Sequence, residues 1–178
     1  MPVMMTVSDR RWKPGLEQGY PGANRLPRRS EGYTAMNDHR LAPYATLLLR
    51  VSLGILLLAH GFYMKVLTFG LAGTMGFFGS LGYPPVLGAI VALAETAAGI
   101  ALILGLWTRL VSLLTLPILI GATLQHAGNG WVFSNTGGGW EFPLLLTVLM
   151  LVQAGLGAGA HALDINRLLG RPATTQAA

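Results

Sequence analysis

No cysteine occurs in this sequence, so it cannot form disulfides, ligate metal through thiolate or pass electrons from a dithiol to a quinone, and disulfide-generating membrane enzymes are excluded. Charge is almost as scarce. Only 11% of residues are Asp, Glu, Lys or Arg, against 52% hydrophobic and a mean hydropathy of +0.54, whereas globular domains carry about a quarter charged residues. Lipid rather than water suits that balance. A P-loop, a dinucleotide fingerprint and a His-x-x-x-His pair are also missing. Gly155, Gly157 and Gly159 have the wrong spacing for the fingerprint and follow no strand, which excludes a nucleotide site. The formal net charge of +5 does not mark a nucleic-acid surface, because seven of the twelve Lys and Arg residues precede Leu41.

Residues 1–40 mix Arg, Pro, Gly and acidic residues with few aliphatics, and cannot bury enough apolar surface to offset ordering entropy. The composition predicts a disordered basic tail. Its length and the lack of a small-residue cleavage pattern argue against a signal peptide, so the first apolar run is retained. Met36, followed by Asn37, Asp38, His39 and Arg40, offers an alternative translation start.

A hydrocarbon core about 30 Å thick needs about 20 apolar helical residues, and residues 44–64, 86–106, 110–127 and 142–160 meet that need. Arg50 and Glu95 are the only Asp, Glu, Lys or Arg within them, whereas a soluble bundle shows a charged face on every helix. The expected fold is an all-α membrane protein, a bundle of four transmembrane helices over residues 41–164 with a short tail at 165–178. Lys and Arg gather in the N-terminal tail, at Arg109 between the second and third spans, and at Arg167 and Arg171 after the fourth, with Lys65 alone assigned to an outer loop. The positive-inside rule then places both termini in the cytoplasm of a plasma (inner) membrane. Trp131 and Trp140 mark the outer interface and Trp107 the inner one. Residues 65–85, with Phe69, Phe77 and Phe78 among glycines, predict an interfacial or re-entrant helix after helix 1. Residues 128–141 are turn chemistry with aromatic anchors and should cap the outer mouth.

Ionisable groups inside a span are costly, so each is a functional candidate. Glu95 lies roughly 13 Å below the outer end of the second span at about 1.5 Å per residue, on one face with Gly88, Ala92 and Gly99. That face permits close backbone approach beside a carboxyl that must be protonated or paired. His60 near the outer end of the first span, His126 near that of the third and Glu141 at the opening of the fourth are expected at similar depth. With Glu95 they form a candidate cluster in the outer half of the bilayer. Blander readings stand beside this one. A lone interfacial His is more often a hydrogen-bonded packing residue, Glu141 suits a helix N-terminus in any case, and Arg50 can snorkel to cytoplasmic phosphates or join an internal ion pair. No metal-ligand spacing is present.

Several runs together are more specific than composition: Leu47-Leu48-Leu49-Arg50-Val51-Ser52-Leu53-Gly54, His60-Gly61-Phe62-Tyr63-Met64-Lys65, Gly82-Tyr83-Pro84, Ala94-Glu95-Thr96-Ala97-Ala98-Gly99, Leu104-Gly105-Leu106-Trp107-Thr108-Arg109, and Gly138-Gly139-Trp140-Glu141-Phe142-Pro143. In this order, and with Gly157-Ala158-Gly159-Ala160-His161-Ala162-Leu163-Asp164 at the end, the chain resembles the DoxX family of small four-helix membrane proteins over roughly residues 44–164. The family is named for a subunit associated with thiosulfate:quinone oxidoreduction, and other members resemble partners of membrane-bound oxidoreductase complexes that defend against oxidative stress. By this resemblance Arg50, His60, Lys65, Glu95, Arg109 and Glu141 occupy motif positions, while His126 comes from the depth argument alone.

The leading expectation is a redox-associated membrane subunit with a quinone or proton site among His60, Glu95, His126 and Glu141. A quinone's carbonyls need hydrogen-bond donors at membrane depth and a proton route. The sequence holds no self-contained redox centre, so electron transfer needs a bound quinone, a haem or an oxidoreductase partner subunit. Three alternatives stay open: a non-catalytic anchor for a soluble oxidoreductase, a small proton-coupled exporter using Glu95, and haem held by His60 and His126 without an attachment motif.

Overall fold

A computed structural model describes residues 32–163, with side chains from residue 39 onward. The rest of the expected N-terminal tail, the segment from Asp164 and the C-terminal tail lie outside the described residues. Helix α1 spans Gly32–Leu58 and runs on without a break into a π-helical segment, Ala59–Thr68. Helix α2 is Gly70–Ser80, α3 is Pro85–Leu104, α4 is Thr108–His126 with a 3-10 turn at Ala127–Asn129, and α5 is Glu141–Leu156. No strand occurs among the described residues.

Three helical runs are long and apolar enough to cross a membrane: His39–Thr68, Pro85–Leu104 and Thr108–Asn129. Between them they expose large leucines such as Leu48, Leu114 and Leu124, as lipid-facing surfaces do. The α5 helix is apolar but has 16 residues, about 24 Å at 1.5 Å per residue. It stops before the expected residue 160 because Gly157 takes the C-cap at φ 84. Residues 32–40, expected as tail, are helical; a long apolar run provides the costly helix nucleus, and propagation into polar residues is then easier. The other ends follow local chemistry. Pro85 stands at the first turn of α3, where its missing N–H is harmless, and Gly105 closes that helix in the left-handed region at φ 78.

The buried face of α3 carries Gly88, Ala92, Glu95, Gly99 and Leu102. It meets the first helix almost backbone to backbone. A Cβ built on Gly99 would stand 2.8 Å from the Gly54 carbonyl oxygen, and one on Gly61 would stand 2.7 Å from the Thr96 nitrogen. Leu53, Leu57, Leu102, Leu119, Leu146 and Met150 then fill the space among α1, α3, α4 and α5.

Arg50 neither snorkels nor joins an ion pair among the described residues. Its side chain is fully buried, and its guanidinium donates to the carbonyls of Ala158 and Ala160, beyond the C-terminal end of α5. A cation there suits the negative end of that helix. Ala160 N–H also donates to Pro43 O at 2.9 Å and Leu163 N–H to Leu104 O at 3.0 Å, so residues 157–163 fold back against α1 and α3.

Candidate functional site

The site begins with the π winding. The expected first span ended at Met64 and left Lys65 in a loop; instead the helix continues to Thr68 and Lys65 is one of its residues. In an α-helix at 3.6 residues per turn, side chains five apart point about 140° away from each other. Hydrogen bonds from i to i+5 widen the turn and bring such residues nearly into line, so His60 and Lys65 share one side.

Lys65 reaches across the close helix contact to Glu95. Nζ stands 2.6 Å from Oε2, with the lysine side chain 21% and the glutamate 7% exposed. This is the one ion pair among the described residues. The carboxyl that had to be protonated or paired is therefore paired, by the very lysine expected in the outer loop. The apolar Val66 and Leu67 just after Lys65 were the sequence signal that the helix goes on. The Lys65 carbonyl accepts from Thr74 Oγ1 at 2.8 Å, which fastens α2 to the π segment.

Both histidines are oriented by backbone carbonyls. His60 Nδ1 lies 2.8 Å from Leu56 O, and His126 Nδ1 lies 3.0 Å from Gly137 O and from Gly138 O. A carbonyl oxygen only accepts, so Nδ1 carries the proton in each ring and Nε2 of the neutral form is an acceptor. Asn129 Nδ2 donates to the same two glycine carbonyls, so the turn chemistry of residues 128–141 folds the loop onto the end of α4.

His60, Lys65, Glu95 and His126 line one cavity of about 590 Å³, together with Gln125 and Asn129. The rest of its wall is largely aliphatic and aromatic, and includes Phe77 and Phe78 of α2 and Phe142 of α5. Glu141 is absent from this wall; its Oε1 accepts from Phe133 N–H at 2.8 Å and ties down the loop. Neither Arg50 nor Arg109 reaches the cavity. The structure thus brings together three of the four residues of the candidate cluster, adds Lys65, and leaves Glu141 as a loop clasp. Sequence reasoning had no signal for Gln125 and Asn129, which are ordinary polar residues near a helix end. Chemically the wall offers an ammonium with two N–H groups beyond the one given to Glu95, a carboxylate, and two imidazole acceptors. No group of three His, Asp or Glu able to hold a metal occurs among the described residues.

The DoxX family matches residues 45–128, the stretch that contains all four ionisable wall residues. Over 110 residues the chain is 36% identical to the Bacillus subtilis (strain 168) protein named "Putative oxidoreductase CatD", an alignment covering 62% of this chain and 78% of that one. The chain belongs to the DoxX family. A second relative, a Haemophilus influenzae protein named "Uncharacterized protein", is 34% identical over 130 residues, which is 72% of the DoxX chain described here and 94% of its own length. No solved structure matches this DoxX protein. The matched stretch ends at residue 128, so the loop and α5 that close the cavity, including Glu141 and Phe142, lie beyond it.

Proposed function

We propose that this DoxX protein is a redox-associated membrane subunit whose cavity takes a quinone-type head group beside a proton-exchanging Lys65–Glu95 pair. In this reading α5 is a fourth span, α2 lies in the outer interface, and both termini face the cytoplasm of a plasma membrane.

The observation that carries the reading is a mostly buried ion pair set in the wall of a largely apolar cavity. Desolvating two charges costs several kcal/mol per ion, and apolar residues of similar volume often pack as well or better. A pair kept there suits exchange with a ligand better than packing alone. The cavity of about 590 Å³ falls within the range of about 300–1,000 Å³ usual for small-molecule sites. Its few polar groups come from the π segment, α3 and the end of α4. When bound, a quinone supplies reversible acceptance of electrons and protons at its carbonyls. Lys65 donates a hydrogen bond to a carbonyl oxygen, Glu95 holds the ammonium in position and takes or returns its proton, and the Nε2 atoms of His60 and His126 accept and return protons. Phe77 and Phe78 give an isoprenoid tail an apolar path toward lipid. The electron donor is a partner oxidoreductase subunit.

The test is quinone retention by protein purified from native membrane in mild detergent, read by absorbance and mass spectrometry. The unmodified protein retains quinone, and Lys65→Met or Glu95→Gln lowers retention about tenfold, the loss of one charge-assisted hydrogen bond. Undiminished binding by Glu95→Gln, or none by the unmodified protein, would end the redox-site reading and leave the non-catalytic anchor in its place.

A further inference from the structure

We infer that a second site, at the opposite end of α4 from the cavity, binds the phosphate of an anionic phospholipid. Thr108 and His126 are 18 residues apart on α4, about 27 Å at 1.5 Å per residue. That separation is close to the thickness of a hydrocarbon core, so a span ending at the cavity on one face ends at this site on the other.

The site is a recess of about 520 Å³ where the first three residues of α4, Thr108, Arg109 and Leu110, face Ala158 and Ala162 of the folded-back segment. The intrahelical bonds of α4 begin with Val111 N–H donating to Trp107 O. The three amides before it therefore lack an intrahelical acceptor, and no side chain caps this end. Such an end attracts anions through its N–H groups and its dipole.

Two further observations point to a ligand there. Thr108 is 2% exposed, yet its hydroxyl oxygen has no hydrogen-bond partner. A buried hydroxyl left unmatched is costly, and a phosphate oxygen would accept from it. Arg109 adds the cation. Its Nε would stand 3.1 Å from a Cβ on Gly157, so the guanidinium lies against the end of α5, where the nearby carbonyls each already accept one hydrogen bond. Gly157 O accepts from Gln153, and Ala158 O and Ala160 O from Arg50. Arg109 forms no ion pair among the described residues.

The rim indicates where that anion comes from. Trp107, Leu110 and Leu163 line the recess and are 65%, 56% and 45% exposed, an apolar edge with an indole at the level where membrane interfaces favour one. A lipid phosphate reaches the recess with its acyl chains along Leu110. Basic pockets between membrane helices hold anionic head groups in this way.

The experiment is native mass spectrometry of the full chain titrated in detergent with phosphatidylglycerol or with phosphatidylcholine of the same acyl chains. One phosphatidylglycerol should be retained about tenfold better than phosphatidylcholine, whose own ammonium competes for the phosphate. Arg109→Gln should lower that retention about tenfold, and the near-isosteric Thr108→Val severalfold. Equal retention of the two lipids by the unmodified protein overturns the proposal without reference to any variant. So does unchanged retention in both folded variants. Displacement of the lipid by inorganic phosphate at equal concentration would assign the recess to a soluble phosphate compound and overturn the lipid assignment.

Discussion

At the scale of single residues, Glu95 and Lys65 depend on each other. Removing one partner leaves a buried charge alone, whereas removing both leaves an apolar contact. Glu95→Leu should therefore lower stability by about 3–5 kcal/mol, and the double change Lys65→Met with Glu95→Leu should recover most of it. Denaturant unfolding in detergent reads both; a loss in the double variant equal to the sum of the losses in Glu95→Leu and Lys65→Met alone would show that the pair is not coupled. Glycines at two places should behave in opposite ways. A Cβ at Gly99 meets the α1 backbone at Gly54 O and Leu58 N, while one at Gly155 meets nothing within 4 Å. Gly99→Ala should cost about 1–3 kcal/mol and Gly155→Ala should gain about 0.5–1 kcal/mol in helix propensity, measured as opposite shifts in unfolding temperature. In the sequence both glycines read alike, as small residues suited to helix packing. Only the partner helix separates them, and which helix faces which is not written in local spacing. Glu95 was legible because its neighbours at i−7, i−3 and i+4 are all small; its lysine was not, because a charge near the end of an apolar run reads as the start of a loop.

Among the elements, the π segment Ala59–Thr68 decides whether the site exists. It turns Lys65 onto the side of His60 and toward α3. Deleting the exposed Tyr63 shortens the wide turn by one residue and favours ordinary α winding. Helicity by circular dichroism should then stay the same while quinone retention falls to background. Unchanged retention would mean that the winding does not position Lys65. Sequence periodicity could not reveal this element, since it is judged against 3.6 residues per turn and a π turn resembles a lapse in pattern. The apolar runs were legible for the opposite reason: lipid imposes length and excludes charge, and both can be counted. Their ends were less legible, because α5 stops where Gly157 turns and Arg50 holds the following carbonyls, contacts made by residues far apart in sequence.

Across the whole molecule, charge and cavity point the same way. With Lys65 drawn into the bundle, residues 69–84 and 127–140 contain no Lys or Arg, and the proposed orientation, with the cavity end outward, is the one that the positive-inside rule favours. Single cysteines at Ser80→Cys and Ser134→Cys should react with an impermeant thiol reagent in intact cells, and Thr175→Cys only after permeabilisation. Labelling confined to the Thr175 variant would reverse the orientation. The central claim, that this cavity holds a quinone-type head group, is tested most directly by photo-crosslinking the purified protein with an azido-quinone and mapping the modified peptides. Labels should fall within residues 59–68 and around His126 to Gly138 and be suppressed by excess unmodified quinone. Labels scattered over the lipid-facing leucines and indifferent to that competitor would contradict it.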